Sequence, residues 1–224
     1  MIGIRKREVA RRIFAHEFNN STHRLSKSED RSPVYVLTPT GVKCNRVFVV
    51  GVLLEREETK PDSNFWRIRI SDPTGVFLGF IGRFQPDALA SVLQIEPPEI
   101  VATVGKIRIF EGEIRRLVSI RPEHIVPVES ITRDYWIYET AIRTLERIKR
   151  MREKSGEDVK LAWQIYNPDL KEYESMVKLA LSALREEEVK IVKEEKMPKE
   201  EIEEIEEEFE IEEEEWNISD ILGD

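Results

Sequence analysis

Strict alternation of apolar and polar positions marks Trp66-Arg67-Ile68-Arg69-Ile70 and predicts a half-buried strand. In that register Trp66, Ile68 and Ile70 face inward, while Phe65, Arg67 and Arg69 face outward. Val47 to Leu54, just before it, is an unbroken apolar run with a single glycine, which fits a strand buried on both faces. Asp72-Pro73-Thr74-Gly75 carries turn chemistry, and Val76 to Ile81 predicts a third strand. If Val76, Leu78 and Phe80 point inward, Phe77 points outward beside Arg67 and Arg69. Pro86 to Ile95 reads as a short helix ended by Glu96-Pro97-Pro98. Ile100 to Phe110 predicts a fourth strand with a bulge or bend at Gly105, and Arg115 to Val128 a fifth that continues past Pro122.

Helical spacing governs the flanks. Val9, Ile13, Phe14 and Phe18 predict an amphipathic helix over Arg5 to Phe18, with Arg5, Arg7, Arg11 and Arg12 on its other surface. Tyr35-Val36-Leu37 predicts a short lead-in strand. From Thr132 to Met151, Ile137, Ala141, Leu145 and Ile148 form one apolar stripe. Ser155-Gly156 ends that helix; a second runs from Asp158 to Tyr166 and a third from Asn167 to about Val189. Five strands with one helix between the third and fourth is the order of the oligonucleotide-binding (OB) fold. The expected class is α+β: a five-stranded OB-fold barrel with an N-terminal helix, a C-terminal helical region and a disordered or weakly helical acidic tail. The expected division is 1–45 for the lead-in, 46–130 for the barrel, 131–195 for the helices and 196–224 for the tail.

Charge changes this picture because it is segregated. The formal net charge is −9, yet residues 196–224 hold 14 acidic against 2 basic residues, and residues 1–50 hold 10 basic against 4 acidic. A mildly basic body therefore carries an acidic tail. No apolar run is long enough to span a bilayer and the N-terminus lacks signal-peptide character, so a cytoplasmic protein without a membrane partner is expected. Cys44 is the only cysteine, which excludes an internal disulfide and points to a small buried residue. His16, His23 and His124 lack metal-ligand spacing. There is no Walker loop, no G-x-S-x-G elbow and no H-E-x-x-H, so no catalytic residue, metal or cofactor is assigned and the expectation is a binding protein rather than an enzyme.

Val47-Phe48-Val49-Val50-Gly51, the segment Phe65 to Gly75 and the Trp136 to Met151 helix resemble the archaeal proteins associated with replication protein A, OB-fold partners or subunits of a single-stranded DNA binding complex. The resemblance covers about residues 5–155, and its most specific piece is the strand ending in Asp-Pro-Thr-Gly. It implies a role in replication, recombination or repair, with single-stranded DNA and a larger replication protein A subunit as partners.

A single-strand binder needs rings at base spacing and cations along the phosphate path. Phe65, Arg67, Arg69 and Phe77 supply these on the second and third strands. Arg83 and Phe84 leave the third strand, and Phe110 and Arg115 flank the loop between the fourth and fifth, a usual rim of the groove. Core packing competes for each aromatic, and pairing with nearby carboxylates competes for the arginines. Trp136, Ile137, Ala141, Leu145 and Ile148 are the candidate assembly surface, with docking inside the chain as the alternative. An assembly-only subunit and an RNA-binding OB module both remain open.

The acidic tail carries Ile202, Ile205, Phe209 and Ile211 within its glutamates, then Trp216, Ile218, Ile221 and Leu222. Solubility needs no such side chains. They suggest a recognition peptide that recruits replication or repair proteins, as acidic tails with apolar tips do in bacterial single-strand binding proteins. Alternatively the tail lies across this protein's own basic face and competes with DNA.

Overall fold

The computed structural model describes residues 8–25, 35–112, 116–184 and 204–205. Its first elements are helix α1 (Ala15–Asn19) and strands β1 (His23–Leu25), β2 (Tyr35–Leu37) and β3 (Lys43–Cys44), which form a three-stranded sheet in that order. The long N-terminal helix expected from the spacing is thus confined to five residues. Arg11 pairs in parallel with Val47 instead, its N–H donating to the Arg46 carbonyl at 2.8 Å and its carbonyl accepting from Phe48 N–H at 2.9 Å. That pairing satisfies backbone groups that a helix would have satisfied internally. Ile13, Phe14 and Phe18 are still buried, but Val9 is 73% exposed. Arg5, Lys6 and Arg7 lie outside the described residues.

The barrel consists of β4 (Arg46–Glu58), β5 (Trp66–Asp72), β6 (Gly75–Ile81), β7 (Glu99–Glu111) and β8 (Arg116–Pro127), closed in the order β4-β5-β6-β8-β7. Helix α2 (Pro86–Val92) lies between β6 and β7 in the chain, so both strand order and helix position are those of the OB fold. The β7–β8 register shifts between Val104 and Gly105, where the bulge was expected. A Cβ on Gly105 would stand 2.5 Å from the Arg121 carbonyl oxygen, so only glycine lets the two strands approach this closely.

The Asp72 turn fastens the lead-in to the barrel. One Asp72 oxygen accepts from Thr74 N–H and Oγ1, both at 2.7 Å, and from Gly75 N–H at 3.1 Å; the other accepts from Ala15 N–H at 2.8 Å. Burial pushes the carboxyl up to about 6, while these donors pull the other way. Asp72→Ala would strip the acceptor from all four donors. The expected loss is roughly 2–4 kcal/mol, measured as a lower urea midpoint at unchanged slope.

Three helices follow, α3 (Ser130–Arg152), α4 (Glu157–Tyr166) and α5 (Leu170–Ser182). Trp136 Nε1 donates to the Phe48 carbonyl at 2.8 Å and locks α3 onto β4; the Trp136 ring meets Phe14 edge-on with centroids 5.6 Å apart. Tyr166 OH donates to the Leu37 carbonyl at 2.7 Å and accepts from His23 N–H at 2.8 Å, tying α4 to the small sheet. Cys44 is buried, which pushes its thiol up to about 12. Among the described residues no helix is long and apolar enough to cross a membrane.

Candidate nucleic-acid interface

Directly opposed residues of an antiparallel pair share a face, so the β5–β6 register decides what each side chain sees. Ile68 stands opposite Gly79 and Ile70 opposite Phe77, and these line the barrel interior. Arg67 stands opposite Phe80 and Arg69 opposite Leu78, on the outside. The outward placement expected for Phe77 is therefore incorrect. Phe77 is 1% exposed and packs inside against Phe18, with ring centroids 5.2 Å apart, while Phe80 and Leu78 take the outer face. The strand from 76 to 81 is apolar on both faces, so its own pattern could not fix the phase. Trp66 packs against the core as expected, half-buried at the barrel end with the Arg56 guanidinium 5.7 Å from its ring centroid.

An apolar cluster sits on that outer face. Phe65, just before β5, stacks on Phe80 with centroids 5.6 Å apart and planes at 9°; Phe110 at the end of β7, with Leu78 and Leu117, completes the patch. Phe110 and Leu117 are opposed across β7–β8, so two of the aromatics expected at the site, Phe65 and Phe110, meet around one that was not, Phe80. This patch spans the strands and the loop rim that OB folds use for oligonucleotides.

Arg67 is buried, with Nη2 2.5 Å from Glu57 and 3.6 Å from Glu55; Arg69 reaches Glu55 at 3.3 Å. The pairing with carboxylates weighed against phosphate contact is thus what Arg67 makes. Arg83 is exposed and lies over the Phe84 ring at 4.8 Å, beyond the end of β6. Arg115 lies outside the described residues, as do Trp216, Ile218, Ile221 and Leu222.

Sequence reasoning passed over a cationic row beside the aromatics. Arg46 is opposed to Lys106, Lys106 to Arg121, and Arg108 to Ser119, all on the outer face, with Phe110 and Leu117 two residues further along β7 and β8. Partial burial, reinforced by Arg121 and Arg108, lowers the Lys106 pKa, against the pull of Glu123. Arg46 binds Glu123 at 2.5 Å. Like charges set opposite one another across strands destabilise a sheet, and the Glu123 carboxylate beside Arg46 and Lys106 offsets part of that here. Alternation in Lys106-Ile107-Arg108-Ile109-Phe110 already marked these positions as outward.

The assembly candidates separate. Trp136, Ile137, Ala141 and Ile148 are buried in the chain's own core, whereas Leu145 is 44% exposed. At about 100° per residue, Leu145 lies about 80° round the helix from Ile137, beyond the edge of the buried stripe.

No protein family pattern matches the sequence, and no curated protein does. Among solved structures, a chain of a replication protein A heterotrimer bound to ssDNA is similar at 16% identity with a TM-score of 0.45, covering 62% of this chain and 98% of that one. The second single-stranded DNA binding protein of Mycobacterium smegmatis gives 20% identity and a TM-score of 0.32, covering 39% and 89%. The mitochondrial single-stranded DNA binding protein Rim1 of S. cerevisiae gives 15% and 0.29, covering 38% and 94%. The OB fold of this chain is read from its own strand order and helix position.

Proposed function

We propose that this chain binds single-stranded DNA on the outer face of its OB barrel. The observation that carries the reading is the placement of Phe65, Phe80 and Phe110 beside the row Arg108, Lys106 and Arg121. Rings accept base stacking, which is tolerant of sequence, and the cations follow a phosphate chain. Arg83 extends the cationic edge; Arg67 and Arg69 stay with their carboxylates and Phe77 with the core. In a salt titration with a labelled oligothymidine, Arg108→Gln with Arg121→Gln is expected to reduce the slope of log K against log salt by about 0.7 for each phosphate that is no longer neutralised. An unchanged slope and affinity would remove this row from the site.

The resemblance in residues 47–51, 65–75 and 136–151 favours a place in a replication protein A type complex acting in replication, recombination or repair. A specific surface supports assembly. Ile131, Tyr135, Tyr138 and Leu145 are exposed on α3 with Ile142 half-buried among them, at alternating spacings of four and three. That is the seam of a helix packed against other helices, on a different face from the one expected. Its occupant in this reading is a helix of the larger subunit. Tyr138→Glu with Leu145→Glu would set charges in the seam. The tagged full chain so altered is expected to lose the larger subunit from native extracts while keeping its melting temperature; retention of that subunit would refute the seam.

A further inference from the structure

Of the acidic segment, the structure describes Glu204 and Ile205. Ile205 is 0% exposed and belongs to the cluster of Phe65, Phe80 and Phe110, whereas Glu204 is exposed. The side chain it presents to the rings is thus apolar and wholly covered. Its sequence neighbours Glu203, Glu204, Glu206, Glu207 and Glu208 are carboxylates, and the cations beside the patch are Arg108, Lys106 and Arg121.

We infer that Ile205 is an internal competitor of single-stranded DNA, seating an apolar side chain on the rings where a base would stack. The inference rests on the reading of this face as the DNA site. Chemically the segment imitates its rival, with a group of low polarity that takes the ring surface and anionic charge on both sides of it. An open aromatic patch on a barrel is also a liability for self-association, which a chain-borne cover removes until DNA arrives. The two ligands cannot share the rings, so the apparent dissociation constant for DNA rises by the inverse of the fraction of molecules in which Ile205 is displaced.

The test uses the full chain, with the Ile205 δ1 methyl observed by NMR, and an oligothymidine as probe. Without DNA the methyl is expected upfield, in the shielding region of the rings; saturating oligothymidine should return it to the position of an unstructured isoleucine. Ile205→Asp is expected to bind oligothymidine on the order of tenfold tighter than the parent chain, corresponding to a covered state about ten times more populated than the open one, and Ile205→Ala less so. A methyl that keeps its upfield position in the DNA-saturated complex, or equal affinity of the parent and Ile205→Asp chains, overturns the competition and leaves the DNA-binding reading standing. Absence of binding by both chains defeats that reading, and the competition with it.

Discussion

Replacing Arg147 with alanine is expected to cost about 3–5 kcal/mol of folding stability, because it leaves the Glu17 carboxylate in the core without its counter-charge. Glu17 is fully buried and the Arg147 side chain is 8% exposed; Arg147 Nη2 donates to Glu17 at 2.7 Å and to Thr144 Oγ1 at 2.8 Å, and Arg147 Nε donates to Thr40 Oγ1 at 2.8 Å. The Thr40 hydroxyl in turn donates to Glu17. The network therefore joins α1, the β2–β3 turn and α3, three elements that local sequence does not tie together. A buried pair broken at one end costs far more than a pair replaced whole by apolar residues. Glu17→Met with Arg147→Met should accordingly cost much less than Arg147→Ala alone. Urea unfolding of the three chains decides it. A loss under about 1 kcal/mol for Arg147→Ala would mean that water or relaxation compensates the carboxylate.

The second large effect concerns DNA. Base stacking is typically worth about 1–3 kcal/mol per ring by alanine substitution. Phe65→Ala and Phe110→Ala are each expected to weaken oligothymidine binding by roughly 5- to 150-fold. Phe65 precedes β5 and Phe110 is close to the end of β7, so each sits at a strand end, and circular dichroism is the control for folding. The same rings hold Ile205, so in the parent chain weaker stacking is partly offset by weaker competition. The full loss should therefore be read in the Ile205→Asp background, where only the stacking on DNA changes. Losses below about twofold at both positions in that background would take the aromatics out of the binding surface.

What the sequence made legible follows from the range of the forces involved. Strand Trp66–Asp72 declares itself by alternation, a property of adjacent residues, and the bulge in Glu99–Glu111 by Gly105, the one residue able to accept the approach of Arg121. The phase of Val76 to Ile81 was not legible, because Phe77 and Phe80 are equally apolar and only pairing with Ile70 and Arg67 decides which is inside. The first residues misled for a similar reason: Ile13 and Phe14 are buried from an extended stretch once Arg11 pairs with β4, and only Phe18 is buried from a helix. The cation row was legible in the alternation of Lys106 and Arg108, but only the register with Arg46 and Arg121 brings its members together. The pairing of Arg147 with Glu17, 130 residues apart, and the seat of Ile205 within a glutamate run have no local signature.

The central claim is that the outer face of this barrel takes a single strand. Its most direct test is the titration of the full chain, parent and Ile205→Asp, with a fluorescent oligothymidine and with a duplex of the same length at several salt concentrations. Both chains are expected to bind the single strand more tightly than the duplex, with log K falling linearly as log salt rises. Equal affinity for the two forms, or no saturable binding of the single strand by Ile205→Asp at low salt, would contradict the claim.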